Sequence, residues 1–221
     1  MNPPGPAGLI APLRSGVVRL AGRARFRGSE SYWEQRYASG GDSGAGSYGR
    51  QAEWKAGVVN GWVAEHQVTS VVDHGCGDGN QLSLAVYPRY LGLDVSPSAV
   101  RRCIDRYADD PAKSFLAVDP LAMLDNAGWL RADLALSMEV LFHLVERAVF
   151  ETYLRQLFAS AERFVVICAR DGEHPGGPHE RYRPFTPWVA RQAPEWELVE
   201  RVAAPAGVDL VSDLFLFARR R

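Results

Sequence analysis

The chain has 221 residues, 47% of them apolar, and a formal net charge of −1. That is enough for one sizeable core with extensions, while a near-neutral field gives no general footing for nucleic acid and no apolar run approaches the ~18 residues of a membrane span. Cys76, Cys103 and Cys168 form no CxxC pair, which fits a reduced, cytoplasmic chain.

Residues 1–30 read as a basic extension, with Arg14, Arg19, Arg23, Arg25 and Arg27 against a single acid, Glu30. Leu9, Leu13, Val17 and Leu20 share one helical face, and Arg14 and Arg19 interrupt the apolar stretch that a signal peptide needs. The segment reads either as an amphipathic helix that touches a membrane or a partner or as a self-packed extension. Residues 31–221 read as a single domain. Tyr32, Trp33 and Tyr37 lie at helical spacing, and the Gly/Ser-rich stretch from Gly40 to Gly49 is expected to be a loop. Gln51 to Glu65 returns to helical period, with Trp54, Val58, Trp62 and Val63 as its apolar stripe. Arginine carries nearly all the positive charge; Lys55 and Lys113 are the only lysines and read as a compositional habit.

The remainder alternates. Short β-branched runs at Ser70–Cys76, Tyr90–Val95, Ser114–Asp119, Asp133–Met138 and Phe164–Ala169 predict strands. Helical patterns at Gln81–Val86, Ser98–Tyr107 and Arg147–Ala161 lie between them, the last with Phe150, Tyr153, Leu154, Leu157 and Phe158 inward. The tail adds two runs, Trp196–Val202 and Leu214–Ala218. The expected fold is α/β: a doubly wound, mostly parallel seven-stranded Rossmann-like sheet with an antiparallel C-terminal hairpin strand.

In such a sheet, ligands bind outside the carboxyl ends of the strands where the strand order reverses. The first strand ends at "DHGCGDG". Gly75 and Gly77 carry no Cβ to block close approach, and the start of the helix expected next offers unpaired N–H donors. A dinucleotide site wants G-x-G-x-x-G, whereas Asn80 stands where the third glycine belongs. Asp73, just before the first glycine, repels a pyrophosphate and attracts an ammonium group. S-adenosylmethionine carries an α-ammonium and a sulfonium and no phosphate, so the charge pattern favours it.

Four motifs in order and spacing carry a resemblance: "VVDHGCGDG", "YLGLDVSPSAV", "FLAVDPL" and "ADLALSMEVLFHL". Over residues 54–170 the chain resembles class I S-adenosylmethionine-dependent methyltransferases, and "YWEQRY…SGAGSYGR" is similar to a segment of bacterial small-molecule and glycan O-methyltransferases. The resemblance implies a cofactor site of Asp73, Gly75, Cys76, Gly77, Asn80, Ser137 and Met138. It implies that Asp94 accepts the ribose hydroxyls, for which two carboxylate oxygens suit a vicinal diol, and that Asp119 and Pro120 meet the adenine, with Val95 or Leu121 flanking the ring. Tyr48 and Arg50 close over the methionine end, Arg50 pairing the carboxylate. Ser96 reads as a helix cap with Pro97 behind it.

"SMEVLFHL" resembles a stretch of ubiquinone-biosynthesis O-methyltransferases in which two glutamates and a histidine bind a divalent metal. Here Glu139 and His143 are retained and Phe142 replaces the middle acid. Glu139 and His143 are therefore the catalytic candidates, with His143 either a general base for a hydroxyl acceptor or, with Glu139, a ligand to Mg²⁺; the missing acid favours the base. "ARDGEHPGGPHERYRPFTPW", Ala169 to Trp188, reads as a long functional loop that walls the acceptor pocket. His174, His179, Arg181 and Tyr182 from it, with Tyr32, are the expected contacts to a sugar or other small polar acceptor, and His174 and His179 are also potential metal ligands. Two other readings stay open: a nucleic-acid or N-methyltransferase, disfavoured because the core lacks a basic patch and [DN]PP[YF], and a non-catalytic cofactor binder.

Overall fold

The computed structural model describes residues 28–208 and 211–220; the basic extension with Leu9, Leu13, Val17 and Leu20 lies outside the described residues. The elements run α1 (Ser29–Ala38), α2 (Gly49–Glu65), β1 (Val71–His74), β2 (Tyr90–Asp94), α3 (Pro97–Arg106), β3 (Lys113–Ala117), β4 (Ala132–Met138), α4 (Arg147–Ala159), β5 (Ala161–Ala169), α5 (Thr186–Gln192), β6 (Trp196–Val202) and β7 (Asp213–Arg219). The seven strands form one sheet in the order β3-β2-β1-β4-β5-β7-β6. β1 to β5 pair in parallel, and β7 inserts between β5 and β6, antiparallel to both. The strand order reverses between β1 and β4, so their carboxyl ends flank the expected ligand crevice.

Both faces of the sheet are covered. Alternate residues of β5 divide between them: Val165 and Ile167 pack with Phe150, Leu154, Leu157 and Phe158 of α4, while Val166 and Cys168 pack with Val59, Trp62 and Val63 of α2. The inward residues of α4 are the five its periodicity predicts. On α2 the buried stripe is rotated from the expected one. Ala52, Lys55, Ala56, Val59, Trp62 and Val63 are buried, and the stripe places a lysine in the interior.

Two connections differ from expectation. The helical pattern at Gln81–Val86 is only a 3-10 turn, Gln81–Leu84. Few residues separate the glycine turn from β2, and Asn60 of α2 takes over the backbone: its amide donates to the Leu84 carbonyl at 2.9 Å and accepts from the Val86 N–H at 2.9 Å. Conversely, the long loop after β5 ends in a helix, α5. Asp171 accepts from the Phe185 and Thr186 N–H groups at 2.6 and 3.1 Å and so supplies the cap that local sequence lacks; Pro187 suits the first turn. α3 starts as expected, with the Ser96 side chain accepting from the Ala99 N–H.

Leu157 is fully buried against the sheet. Leu157→Ala is expected to lower the unfolding free energy by about 2–5 kcal/mol, lost transfer energy plus a cavity. Urea denaturation measures this, and a loss below about 1 kcal/mol would mean that α4 does not pack as described.

Candidate cofactor and acceptor site

The chain turns sharply after β1. Gly75 and Gly77 have φ values of 89° and 58°, a region that side chains rarely occupy. The sequence reading gives these glycines to the ligand, but protein fills the space beside them: a Cβ would stand 2.5 Å from Val140 Cγ2 at Gly75 and 2.4 Å from Ser43 Oγ at Gly77. The glycines thus admit the segment after β4 and the Gly/Ser loop to the rim. The Gly77 N–H donates to Asp94 Oδ2 at 2.9 Å, and the Ser96 N–H donates to Asp94 Oδ1 at 2.9 Å.

The Gly/Ser loop is fastened down by Asp78, which sequence reasoning missed. Asp78 Oδ2 accepts from the Ser43 N–H at 3.0 Å and from the Tyr48 hydroxyl at 2.7 Å, and its own N–H donates to Ser43 Oγ at 3.0 Å. Asn80 donates to the Ser47 carbonyl at 2.8 Å. Glu34 of α1 accepts from Ser96 Oγ, Ser98 N and Ser98 Oγ at 2.6, 3.1 and 2.7 Å. Ser29 binds Glu146 through its N–H and hydroxyl at 3.0 and 2.6 Å. α1 therefore spans from α3 to the start of α4, over the crevice.

Beneath this cover lies a cavity of about 700 Å³. Asp73, Gly75, Cys76, Gly77 and Asp94 line one end, and Val95, Asp119, Pro120, Leu121 and Met138 continue from it. Glu139, His143, Tyr32, His179 and Tyr182 line the other end, with Trp33, Phe142 and Glu180, which the sequence did not single out. Six expected contacts are not at the cavity. Tyr48 and Asn80 serve the loop as described. Arg50 is exposed, with Gly207 beside its guanidinium. Ser137 is fully buried and accepts from the Tyr153 hydroxyl at 2.8 Å. His174 packs edge-on against Tyr182. The Arg181 side chain is exposed, and its N–H donates to the Phe142 carbonyl at 2.6 Å, which docks the long loop on the segment after β4.

The charges are unusual. Asp73 Oδ2 accepts from the Tyr90 hydroxyl at 2.8 Å, and its buried Oδ1 has no partner. Burial pushes Asp73 up to about 7 and Asp94 up to about 6. Glu139 has a φ of 61° and its Oε2 accepts from Lys55 Nζ at 3.1 Å; Lys55 is only 1% exposed. The carboxylate lies where a Cβ on Gly46 would come within 1.9 Å of it, so a side chain there would push Glu139 away from its place beside Lys55. Glu139 is thus committed to a cation, and it is not part of the group that gathers around His143. That group is His143, His179 and Glu180, whose ligand-type atoms lie within 4.8 Å of one another. Trp33 packs edge-on to His143 and Tyr32 stacks on His179. Burial pulls His143 down to about 4, so the ring is neutral at neutral pH.

Neither a protein-family model nor a curated protein sequence matches the chain. Solved structures do match in fold. N-methyltransferase NodS from Bradyrhizobium japonicum WM9, in complex with S-adenosyl-L-homocysteine, aligns with a TM-score of 0.67 at 20% identity, over 88% of this chain and 100% of that one. Magnesium protoporphyrin IX methyltransferase (ChlM) from Synechocystis PCC 6803, with bound S-adenosylmethionine, aligns with a TM-score of 0.63 at 13% identity, over 86% and 97%. The methyltransferase domain of bacterial CtHen1-C aligns with a TM-score of 0.59 at 20% identity, over 76% and 98%. The chain has the Rossmann-like fold of class I S-adenosylmethionine-dependent methyltransferases.

The Lys55–Glu139 pair gives a direct test. Lys55→Met leaves a poorly solvated carboxylate without its partner and is expected to cost about 3–5 kcal/mol of stability, whereas Lys55→Met with Glu139→Gln recovers much of the loss. Urea unfolding of both proteins checks this; equal stability of the single variant and the parent would refute the pairing.

Proposed function

We propose that the chain is an S-adenosylmethionine-dependent methyltransferase acting on a hydroxyl of a small polar acceptor of the sugar class. The observation that carries the reading is the pair of buried carboxylates, Asp73 and Asp94, that line the cavity beside the glycine turn. Burial holds both above the usual carboxylate range, and the α-ammonium of the cofactor supplies a compensating positive charge. The rest of that end fits as well. Asp94 has both oxygens at the cavity end of β2, each with lone-pair capacity beyond its backbone N–H, which suits the ribose diol. Asp119 and Pro120, with Val95 and Leu121, supply a polar edge and an apolar wall for a base. The bound sulfonium brings an activated methyl group.

The protein's share is then alignment. Holding acceptor and donor at near-attack distance supplies up to ~7–11 kcal/mol in well-oriented systems. Tyr32, Trp33 and Tyr182 offer ring faces, and His143, His179 and Glu180 offer acceptors for hydroxyl protons. His143 is neutral and so accepts a hydrogen bond from the acceptor O–H, turning the oxygen lone pair toward the methyl group. With its pKa held near 4, it is a weaker proton acceptor than the near-neutral base that favours such transfer. Glu139, fixed by Lys55, shapes the rim instead of taking the proton. The solved methyltransferases of this fold carry names that point to a porphyrin, a small RNA and N-methylation, so the acceptor class here rests on the cavity wall.

Methyl-labelled donor offered to sugar, phenol and amine acceptors tests the reading: label on sugar hydroxyls is expected, label on amines alone overturns the acceptor class, and no transfer to any acceptor without cofactor binding overturns the whole. Asp73 adds a pH signature. Its ionised form binds the ammonium, and its ligand-free pKa is about 7. S-adenosylhomocysteine affinity is therefore expected to fall about tenfold per pH unit below 7 and to flatten above it. Asp73→Asn is expected to bind weakly with a flat profile between pH 6 and roughly 7.5. Calorimetry across pH decides; the same slope in both proteins would remove Asp73 from the ammonium site.

A further inference from the structure

His143 ends the 3-10 turn after β4, and His179 and Glu180 come from the loop after β5. These two segments meet at the acceptor end of the cavity, and all three side chains line it. Their ligand-type atoms lie within 4.8 Å of one another, the one such group of three or more His, Cys, Asp or Glu among the described residues. His179 Nε2 and Glu180 Oε1 stand 3.9 Å apart. Each side chain is held from behind. The Tyr32 ring stacks on His179 at 4.5 Å between centroids, and Trp33 and Phe142 enclose His143. The Gly177 N–H donates to Glu180 Oε2 at 2.7 Å, which leaves Oε1 on the imidazole side.

We propose that His143, His179 and Glu180 bind a divalent first-row transition-metal ion of the Zn²⁺ type, with its open coordination position toward the acceptor. Two nitrogens and one carboxylate oxygen make a donor set that suits zinc and its neighbours, whereas Mg²⁺ and Ca²⁺ want oxygen. Three protein ligands plus one open position is the arrangement of catalytic zinc sites. Ligands about 2.0–2.2 Å from a tetrahedral ion are ~3.4 Å apart, so atoms now within 4.8 Å of one another close by up to about 1.4 Å on binding. An acceptor oxygen seated on the ion has its pKa lowered, and in the metal-loaded protein the ion takes the place of the direct His143 hydrogen bond to the acceptor. This site replaces the Mg²⁺ site expected from Glu139 and His143, because Glu139 is taken by Lys55. The role at the acceptor rests on the methyltransferase reading; the binding itself does not.

The test is calorimetric titration of the chelator-treated full chain with Zn²⁺, with Co²⁺ absorption as a second readout. One ion per chain is expected. His179→Ala and Glu180→Gln are each expected to weaken binding by roughly tenfold or more, since even partners one shell out from a metal cost 10–100-fold. His66→Ala, at the far end of α2, is expected to bind as the parent does. Circular dichroism reports folding of each variant, and the half-exposed, isosteric Glu180→Gln decides if His179→Ala does not fold. Absence of stoichiometric binding, or undiminished binding in Glu180→Gln, overturns the proposal. S-adenosylhomocysteine titrated into the same samples separates the two readings: zinc without this ligand leaves the metal site standing and removes the methyltransferase, and the reverse result removes only the metal site.

Discussion

The Gly77 N–H donates to Asp94 at 2.9 Å, and this bond joins the turn after β1 to the end of β2. The turn reaches Asp94 because Gly75 and Gly77 accept positive φ values. Once the turn is fixed, Asp78 is presented to the Gly/Ser loop and holds it through Ser43 and Tyr48. The loop in turn lays Gly46 against Glu139 at the end of β4. Four segments far apart in sequence thereby become one rim around one cavity, and a small error in the turn would propagate to every one of them.

The same rim concentrates charge where water is scarce. Asp73 and Asp94 are both pushed up by burial, to about 7 and about 6. Groups with folded pKa values above their unfolded ones cost stability as pH rises through that interval, because the native state then gives up the proton less readily than the unfolded chain. His74 and His143, both pulled down to about 4 by burial, work in the opposite direction: they cost stability as pH falls from about 6.5 toward 4. The carboxylate penalty is one that a cationic ligand removes. Buried carboxylates held above their usual range at a cavity wall mark a candidate site for a cationic group.

Much of this was legible in the sequence because it depends on local pattern. The strand runs, the apolar face of α4, the Ser96 cap and the glycine turn each follow from spacing within a few residues. What was not legible depends on partners far along the chain. The role of Lys55 rests on Glu139, 84 positions away, so a lysine inside an apolar stripe read as composition only. α5 is capped by Asp171, fourteen positions before Phe185, and its prolines looked like loop. Arg50 and Arg181 have the right chemistry for anions, but their elements turn them to solvent. Glu180 gained meaning only when two loops brought it to His143. Local pattern brought Asp73, the glycine turn and Asp94 to one cavity, while tertiary contacts drew Tyr48, Arg50, Asn80 and Ser137 away from it.

The central claim is that the cavity at the ends of β1, β2 and β4 is built for an adenosyl amino acid and not for a dinucleotide. Calorimetric titration of S-adenosylhomocysteine, and separately of NAD, into the parent chain and Asp94→Ala tests it most directly. The account predicts that the parent binds S-adenosylhomocysteine and not NAD. It also predicts that Asp94→Ala, still folded, binds about tenfold or more weaker, as loss of hydrogen bonds to a charged group worth roughly 1.5–3 kcal/mol requires. Binding of NAD without S-adenosylhomocysteine, or an unchanged affinity in Asp94→Ala, would contradict it.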